Sequence, residues 1–433
     1  MKKYTIGLDL GTSSVKAVLF DGEKVLKTQS APFYIKSCSL KDGAKYNGFS
    51  IEEYSETVFN VISNLASEVD GNVYGISMAT ASGNTVVCDK DNQPMLDAYS
   101  WTTPALTDES QSVYGVIDRK YSAKVCGWPY SCSFPLSHLA QIKVHSPEIL
   151  KNCGTICMST EYLLFKMTGK FGIDKSTAVP FFLLEQETGK WHKPYLDALN
   201  ITEDKLPKVY NSGDLLGTVT EAFALKYGIS KDCKVFLGSF DHPSGAIANN
   251  VVTQGQLLLS CGTSWVLFFP YSDRQKLIDN NILCDTFLSN EKGLWGAMCS
   301  IPQISKKIDN IIDKTFIGDD KLKLFNEYSE RANRGADGLI INPITDDEKD
   351  FSEFSKENIA RALMEGAANL LKENLEQLKS IGIEFNQVKM AGGPSKSKVW
   401  VDIIKYTINM PVEVVYGVNS GAVGSAKRIY KNI

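Results

Sequence analysis

A short pattern of strand, small polar turn and strand occurs twice in this chain of 433 residues. The first copy reads GLDLGTSSVKAVLF at residues 7–20, and the second reads LLLSCGTSWVLFF at residues 257–269. Apolar runs on both sides of a Gly-Thr-Ser turn predict two β-hairpins. Because one copy stands near the start and the other past the middle, we expect two similar halves.

The chain is too long for one ordinary hydrophobic core, since domains usually contain about 100–200 residues. A strand pattern restarts at residues 234–238, just before a helix of small residues at 243–248 and the second hairpin. No low-complexity linker marks a boundary. We therefore expect two domains, residues 1–237 and 238–433.

Composition narrows the class of protein. With 43% hydrophobic residues, 22% charged residues and a net charge of −4, nothing indicates a nucleic-acid partner. The start, MKKYTIGLDLG, has an acid inside its apolar run, which predicts a first strand and not a secretory signal. No run approaches the ~20 apolar residues of a membrane span. We expect a cytoplasmic protein without membrane contact, whose ten scattered cysteines are buried small hydrophobes.

The Gly-Thr-Ser turns are candidate phosphate cradles. Their small residues expose backbone N–H groups and add hydroxyl donors. One such turn alone is weak evidence, but two in equivalent positions are much stronger. Asp9 is an acid in an apolar strand, where burial is costly without a cation or a donor, so it is a candidate magnesium ligand. The alternative is an acid at the exposed end of a strand.

Asp241 lies where a strand ends and the small-residue helix begins. A carboxylate there can accept the proton of a hydroxyl that attacks a terminal phosphoryl group. It can also cap the helix. The neighbouring His242 is expected to orient substrate and not to act as a second base. Residues 391–397, AGGPSKS, follow a strand and can accept a flat or anionic group, or form only a turn with a helix cap.

Together these motifs resemble the FGGY carbohydrate kinases, which are actin-like ATPases built from two ribonuclease H-like domains. The resemblance covers nearly the whole chain, and its motifs in this order are specific. They are residues 9–16, 161–163, 168–169, 174–176, 189–191, 206–207, Gly238 with Asp241, 260–264, 361–366, 392–397 with Trp400, and 421–426.

The resemblance implies an α/β fold of two ribonuclease H-like domains with an inter-domain cleft. It implies ATP-dependent phosphorylation of a sugar or polyol hydroxyl, with Asp241 as general base and Asp9 organising Mg²⁺. The N-terminal domain would bind sugar and carry the first phosphate hairpin, and the C-terminal domain would carry the second and the adenosine site. The ATP-binding residues it implies are Gly11, Thr12, Ser13, Lys16, Gly262, Thr263, Ser264, Gly392, Gly393 and Ser397.

The acceptor site departs from the family pattern. Many relatives carry Trp-x-Asp-x-Arg where this chain has Trp101-Thr102-Thr103-Pro104-Ala105, so both charged residues are missing. Small residues also replace the usual polar contacts at Ala81-Ser82-Gly83. The substrate-binding candidates are Ser82, Gly83, Asn84, Trp101, Thr103, Asp241 and His242.

Two functional hypotheses follow. The first is an active kinase for a ketose such as xylulose or a methylpentulose. The second is a non-catalytic, nucleotide-binding sugar sensor of the same fold, which the altered acceptor site favours. Retention of Asp9, Asp241 and both turns favours the kinase. In either case the expected partner is a small sugar or polyol, with a homodimer as a possible assembly.

Overall fold

Strands and helices alternate along the whole chain. The structure, a computed structural model, describes residues 3–81, 83–318, 320–415 and 419–430. The elements up to the second hairpin are β1 (Tyr4–Leu10), β2 (Ser14–Phe20), β3 (Val25–Pro32), β4 (Lys36–Ser39), β5 (Lys45–Phe49), α1 (Ile51–Ser67), β6 (Val73–Thr80), β7 (Val86–Cys88), β8 (Ala98–Tyr99), α2 (Thr107–Tyr114), α3 (Arg119–Cys126), α4 (Pro135–His145), α5 (Pro147–Asn152), β9 (Thr155–Cys157), α6 (Ser159–Thr168), β10 (Gly172–Asp174), β11 (Leu184–Glu185), β12 (Lys190–Trp191), α7 (Lys193–Leu199), β13 (Lys208–Tyr210), β14 (Leu215–Thr218), α8 (Glu221–Tyr227), β15 (Lys234–Phe236), β16 (Ser239–Phe240) and α9 (Asp241–Ala248).

The remaining elements begin with the second hairpin. They are β17 (Gln256–Cys261), β18 (Trp265–Tyr271), α10 (Arg274–Asp279), β19 (Leu283–Leu288), α11 (Ser289–Lys292), β20 (Leu294–Ile301), α12 (Ile304–Thr315), α13 (Lys321–Arg331), α14 (Lys356–Ser380), β21 (Gln387–Gly392), α15 (Lys398–Ile408), β22 (Val412–Val414) and α16 (Ser420–Tyr430). Both sequence-predicted hairpins are therefore confirmed, as is the small-residue helix.

By internal contacts the chain forms two compact units. The first contains Met1–Asn250, Ser272–Gly296 and Asn419–Ile433, and the second contains Val251–Tyr271 and Ala297–Val418. The first unit is therefore built from three separate stretches of chain, and its last helix is α16. The domain boundary between residues 237 and 238 stays a prediction about where the two halves of the sequence separate.

The main sheet of the first unit has the strand order β14-β15-β6-β1-β2-β3, with β16 also paired to β6. Strand β1 is antiparallel to β2 and parallel to β6. Apolar side chains of β1, β6 and α1 form the core on one face, among them Ile6, Leu8, Val58 and Ile76. On the other face, Ala422 and Ala426 of α16 pack on Val18 and Phe20 of β2.

The second unit repeats this arrangement around β17. That strand is antiparallel to β18 and parallel to β21, which in turn is parallel to β22. Both hairpins therefore place their first strand beside a parallel strand, β6 in the first unit and β21 in the second. Of the helices that the structure describes, none combines the length and apolarity that crossing a lipid bilayer requires.

Helix starts follow from capping side chains. The Ser50 hydroxyl accepts the N–H of Glu53 at 3.3 Å at the start of α1, and Ser355 accepts the N–H of Asn358 at 3.2 Å at the start of α14. Such caps satisfy a backbone donor that the first helical turn leaves without a partner. The starts of these two helices are therefore specified by the local sequence.

Candidate active site

Two acidic residues lie at the same end of the first unit's sheet. In the ladders beside β6, Asp9 of β1 and Ser239 of β16 both pair with Ala79, one on each side. Neighbouring strands are about 4.8 Å apart, so these two backbone positions are about 10 Å apart. Asp241 follows Ser239 by two residues and begins α9. Parallel strands gather their ligand-binding residues at this carboxyl end.

Asp9 is half-buried beside a second negative charge. Burial raises the pKa of the Asp9 carboxyl to about 6, with a further contribution from the charge of Asp241, while Lys16 acts in the opposite direction. Lys16 faces Asp9 directly across the β1–β2 ladder and is exposed. Within the described residues, no donor is hydrogen-bonded to the Asp9 carboxylate. This carboxylate therefore fits a bound cation.

Helix α16 packs closely against Asp9. A Cβ atom added at Gly421, in its first turn, would lie 2.8 Å from Asp9 Cγ. Only glycine leaves room for the carboxylate at this distance. Sequence analysis does not associate residue 421 with Asp9, because only the fold brings the two positions together.

Asp241 is the first residue of α9, and Phe240 occupies the N-cap position. Asp241 is therefore not the N-cap residue that sequence analysis kept as an alternative. Its Oδ1 accepts the N–H of His242 at 2.8 Å, so the carboxylate still receives a donor of the first helical turn. Within the described residues, its other oxygen accepts no hydrogen bond. One carboxylate oxygen thus remains available to a substrate hydroxyl.

The first Gly-Thr-Ser turn presents donors outward. The N–H of Gly11 closes the turn by donating to the Ser14 carbonyl at 3.1 Å. Within the described part of the chain, the N–H groups of Thr12 and Ser13 have no acceptor. The Thr12 hydroxyl accepts the indole N–H of Trp101 at 3.2 Å. Thr12 and Ser13, more than Gly11, therefore provide the donors that the phosphate hypothesis requires.

The predicted acceptor residues differ in their freedom to bind a ligand. Trp101 is exposed, and its indole contacts the first Gly-Thr-Ser turn. The buried hydroxyl of Thr103 is engaged within the protein, since it donates to the Ser100 carbonyl at 2.7 Å and accepts the N–H of Asn47 at 3.3 Å. His242 is half-buried, with its ring 5.6 Å from that of Phe240.

Two further acceptor candidates lie next to these residues. The Asn84 side-chain oxygen accepts the N–H of Ser159 at 2.8 Å, which leaves its amide N–H₂ as a donor. Gly83 is buried, and a Cβ atom there would lie 2.6 Å from the ring of Phe134. Ser82 lies outside the described residues. The roles of all these residues in binding a sugar stay predictions.

The second unit carries the other turn and a glycine pair. Gly262 and Thr263 are exposed, and within the described residues their N–H groups have no acceptor. The hydroxyl of Ser305 donates to the Gly262 carbonyl at 2.7 Å, and this hydrogen bond holds the turn in place. Gly392 has a φ of 106°, and a Cβ atom there would lie 2.2 Å from the carbonyl oxygen of Cys261. Glycine is therefore required at 392.

A cavity of 690 Å³ joins these features in the second unit. Its volume lies in the range of small-molecule sites, about 300–1,000 Å³. The predicted residues Gly262, Thr263, Gly393 and Ser397 line it, whereas Ser264 and Gly392 do not. The lining that sequence analysis did not identify includes Ser305, Lys306, Asp309, Leu322, Phe325 and Asn326.

The cavity combines a polar end with an apolar wall. Ser397 is hydrogen-bonded to Asn326 and also caps α15, since its hydroxyl accepts the N–H of Trp400 at 3.3 Å. The rings of Phe325 and Trp400 form an edge contact at 5.7 Å. This arrangement suits a flat group joined to a polar, charged one.

Comparison with known proteins decides the family. Residues 4–248 match the N-terminal domain, and residues 316–429 the C-terminal domain, of the FGGY family of carbohydrate kinases. The chain belongs to the FGGY carbohydrate kinases. The resemblance noted from the motifs is thus confirmed, and so is the enzyme class.

Similar proteins include kinases for different substrates. The xylulose kinase of Bacillus subtilis (strain 168) is 24% identical over 447 residues, covering 98% of this chain and 87% of the relative. The ligand-bound xylulose kinase of Lactobacillus acidophilus superposes with a TM-score of 0.87 at 20% identity, covering 99% of this chain and 89% of the other. Plasmodium falciparum glycerol kinase with ADP has a TM-score of 0.80 at 18% identity, with coverages of 98% and 88%.

These structural matches confirm the fold class. It is the α/β fold of the FGGY kinases, with two ribonuclease H-like domains of the actin-like ATPase type. At this level of identity the structural likeness shows the fold and does not identify the sugar. The assignments of the individual site residues remain predictions.

Proposed function

We propose that this FGGY kinase transfers the terminal phosphoryl group of ATP to a hydroxyl of a small sugar, with Asp241 as the general base. One observation carries the proposal. Asp9 and Asp241 lie at the same end of the sheet, with the charge of one acting on the other, beside a turn whose Thr12 and Ser13 N–H groups have no acceptor within the described residues.

In the proposed reaction, Asp241 accepts the proton of the attacking hydroxyl. A bond forms between that oxygen and the terminal phosphorus, the bond from this phosphorus to the bridging oxygen breaks, and ADP leaves. Asp241 suits this role because one of its oxygens is held by the His242 N–H while the other accepts nothing within the described residues. Positioning a base in this way contributes about 10²–10⁴-fold to a rate.

Magnesium fits the residues beside Asp9. The described residues contain no group of three or more side chains that could hold a metal ion by themselves. Mg²⁺ typically takes only one or two carboxylates and completes its shell with water and phosphate oxygens. Asp9 would hold the ion, which when bound neutralises charge on the nucleotide phosphates. The proposal assigns Asp9 no proton transfer.

Nucleotide contacts are proposed from both units. Thr12, Ser13 and Lys16 would contact the terminal phosphates from the first unit. Gly262, Thr263 and Ser264 would contact phosphates from the second, where Gly392, Gly393 and Ser397 border the adenosine. The cavity of 690 Å³, with its ring pair and its polar end, supports this placement of the nucleoside.

The acceptor is proposed to be a ketose such as xylulose or a methylpentulose. Xylulose kinases among the relatives support this class, although glycerol kinase shares the fold. Among the described acceptor candidates, Trp101, Asn84 and His242 have polar atoms or ring surface left for a ligand. We also propose a cytoplasmic location, which the ten free cysteines support because thiols persist in reducing compartments.

A substrate panel tests the function. Purified protein is given ATP and magnesium with ketoses, aldoses and polyols, ADP release is followed, and the phosphorylated product is identified by mass spectrometry. One acceptor that gives saturable ADP release, lost in Asp241→Asn, supports the kinase. Nucleotide and sugar binding without transfer to any acceptor would contradict it and favour the non-catalytic sensor.

Activity at limiting magnesium should fall as the pH drops through about 6. The Asp9 carboxyl has a pKa raised to about 6, and only its charged form, which dominates above that pH, can hold the ion. Below pH 6 the apparent KM for magnesium should rise by up to about tenfold per pH unit, because protons compete with the metal. Kinetic titrations of magnesium between pH 5 and 8 measure this. Asp9→Asn should need more magnesium and lose the pH dependence.

The raised pKa of the Asp9 carboxyl also predicts an effect on stability, which can be measured without an activity assay. A carboxyl whose pKa is raised on folding destabilises the fold increasingly as the pH rises from its ordinary value towards the raised one. In magnesium-free buffer, Asp9→Asn should therefore have a higher Tm than the parent at pH 8, and the difference should vanish near pH 4. An equal Tm at pH 8 would contradict the assigned environment of Asp9.

Leu322→Arg should weaken ATP binding. Leu322 lines the cavity of the second unit although 60% of its surface is exposed, so the substitution can fill the cavity without unfolding the chain. Loss of an apolar contact worth about 1.5 kcal/mol corresponds to a KM for ATP raised about tenfold, with the acceptor KM unchanged. Ile317→Arg is the matched control, because Ile317 is 85% exposed and lies outside the cavity lining. Equal effects of both substitutions would contradict the placement of the nucleoside.

A further inference from the structure

A chain of hydrogen bonds leads from a buried acid to the residue before Asp241. The N–H of Phe240 donates to the hydroxyl oxygen of Ser176 at 3.0 Å. The Ser176 hydroxyl in turn donates to Oδ2 of Asp285 at 2.7 Å. A serine hydroxyl has one proton, so donation to Asp285 directs its lone pairs to Phe240. All of these residues belong to the first unit.

Both carboxylate oxygens of Asp285 accept hydrogen bonds in this arrangement. Its Oδ1 accepts the N–H of Phe287 at 2.6 Å while its Oδ2 accepts the Ser176 hydroxyl. The side chain is completely buried, and burial raises its pKa to about 7, with a further increase from Asp174 and opposing contributions from its two hydrogen bonds and Arg428. A buried acid is costly in an apolar strand such as β19. Residues that break local rules in this way often serve function.

The backbone of Ser176 is held independently. Its N–H donates to Oδ1 of Asp174 at 2.9 Å, and the same oxygen accepts the N–H of Thr177 at 2.9 Å. The turn after β10 is thereby rigid, and the hydroxyl of Ser176 is presented from a fixed point. Because Ser176 is fully buried, solvent cannot replace this hydroxyl as the acceptor for Phe240.

We infer that Ser176 and Asp285 are positioning residues that hold the Phe240–Asp241 backbone and thereby aim the Asp241 carboxylate. The inference rests on the proposed role of Asp241 as general base. Within the described residues, the Asp241 side chain has one hydrogen bond, from the adjacent His242 N–H, so its direction depends on the backbone that carries it. Misplacement of a reacting group by about 1 Å can cost about 100-fold in rate.

The first test is a double-mutant cycle of Ser176→Ala and Asp285→Asn. Asparagine offers one acceptor and one donor, so it can satisfy only one of the two donors that face Asp285. Each single variant should lower kcat by about ten- to hundredfold, with the KM for ATP unchanged. Since the two residues act in series, the double variant should be no slower than Ser176→Ala alone. Additive losses in the double variant would overturn the inference that Ser176 and Asp285 act together as one hydrogen-bonded relay to Phe240.

Controls separate positioning from stability. Thr220→Val removes a hydroxyl that accepts the N–H of Phe223 at 3.2 Å at the start of α8, a similar bond away from α9. It should lower Tm with little change in kcat. Ser176→Ala at wild-type kcat, measured per folded molecule, would overturn the inference. If Ser176→Ala does not fold, Ser176→Cys decides, since its thiol is a weaker acceptor and should lower kcat by an intermediate factor; unchanged kcat would overturn the inference.

The parent reaction is tested in the same experiment. Asp241→Asn with wild-type kcat would overturn the proposed function and, with it, the relay. Loss of transfer in Asp241→Asn with unchanged kcat in both Ser176→Ala and Asp285→Asn would overturn the relay alone.

Discussion

Asp241→Asn is expected to lower kcat by about 10²–10⁴-fold while ATP still binds with unchanged affinity. The amide is nearly the same size as the carboxylate and can still accept the His242 N–H, so α9 should keep its start. What is lost is the acceptor for the proton of the attacking hydroxyl. Steady-state ADP release measures kcat, and calorimetric titration measures ATP binding.

Asp273→Asn is the matched control for this substitution. Asp273 also stands at the start of a helix, where its Oδ1 accepts the N–H of Lys276 at 3.0 Å, but it is exposed and lies outside the proposed site. Asparagine caps helices as well as aspartate does, so activity and Tm should stay at parental values. More than about a tenth of parental kcat in Asp241→Asn would contradict its assignment as the general base.

Gly424→Ala should destabilise the protein by about 3 kcal/mol. A Cβ atom at this position of α16 would lie 1.8 Å from the backbone oxygen of Ser244 in α9, and no side-chain rotation can relieve a clash with backbone. Gly7 of β1 shows the same close approach from the other side, 2.0 Å from the Ala422 oxygen. Urea unfolding measures the loss, and activity should fall with it because α9 begins with Asp241.

The expected loss of stability in Gly424→Ala is opposite in sign to the usual effect of this substitution. Inside an exposed helix, replacing glycine by alanine stabilises by about 0.5–1 kcal/mol. Gly393→Ala is the control, since Gly393 has a φ of −54° and a Cβ atom there would meet nothing within 4 Å. Its stability should stay within about 0.5 kcal/mol of the parent. A Gly424→Ala protein more stable than the parent would show that α16 and α9 do not pack as described.

Much of the fold was predictable because its signals are local. Each hairpin is specified by two apolar runs and a small turn, and the helix starts at Ser50 and Ser355 are specified by their own capping hydroxyls. The small-residue helix expected at residues 243–248 is α9, which ends at Ala248 and begins two residues earlier, at Asp241. The repeat itself indicated two similar halves, and each half carries its hairpin, β1–β2 or β17–β18.

What sequence analysis missed depends on residues that only the fold brings together. Ser176 and Asp285 are separated by 109 positions, and the lining of the second unit's cavity comes from several elements. The signal at Asp285 was nevertheless the one used for Asp9, an acid inside an apolar strand. Sequence analysis also could not tell which N–H group of the first turn donates to a carbonyl within the turn, because this depends on the backbone conformation at Gly11.

The place of α16 in the first unit has a consequence for synthesis on the ribosome. The hydroxyl of Ser425 donates to the carbonyl of Leu8, a contact between residues 417 positions apart, and α16 covers one face of the β1–β2 hairpin. At a synthesis rate of about 5–20 residues per second, roughly 20–80 s pass between the emergence of β1 and that of its covering helix. During that interval the apolar surface of β2 is open to chaperones and to other nascent chains. Folding of the first unit is therefore completed only once α16 has emerged, and not as its first 250 residues emerge.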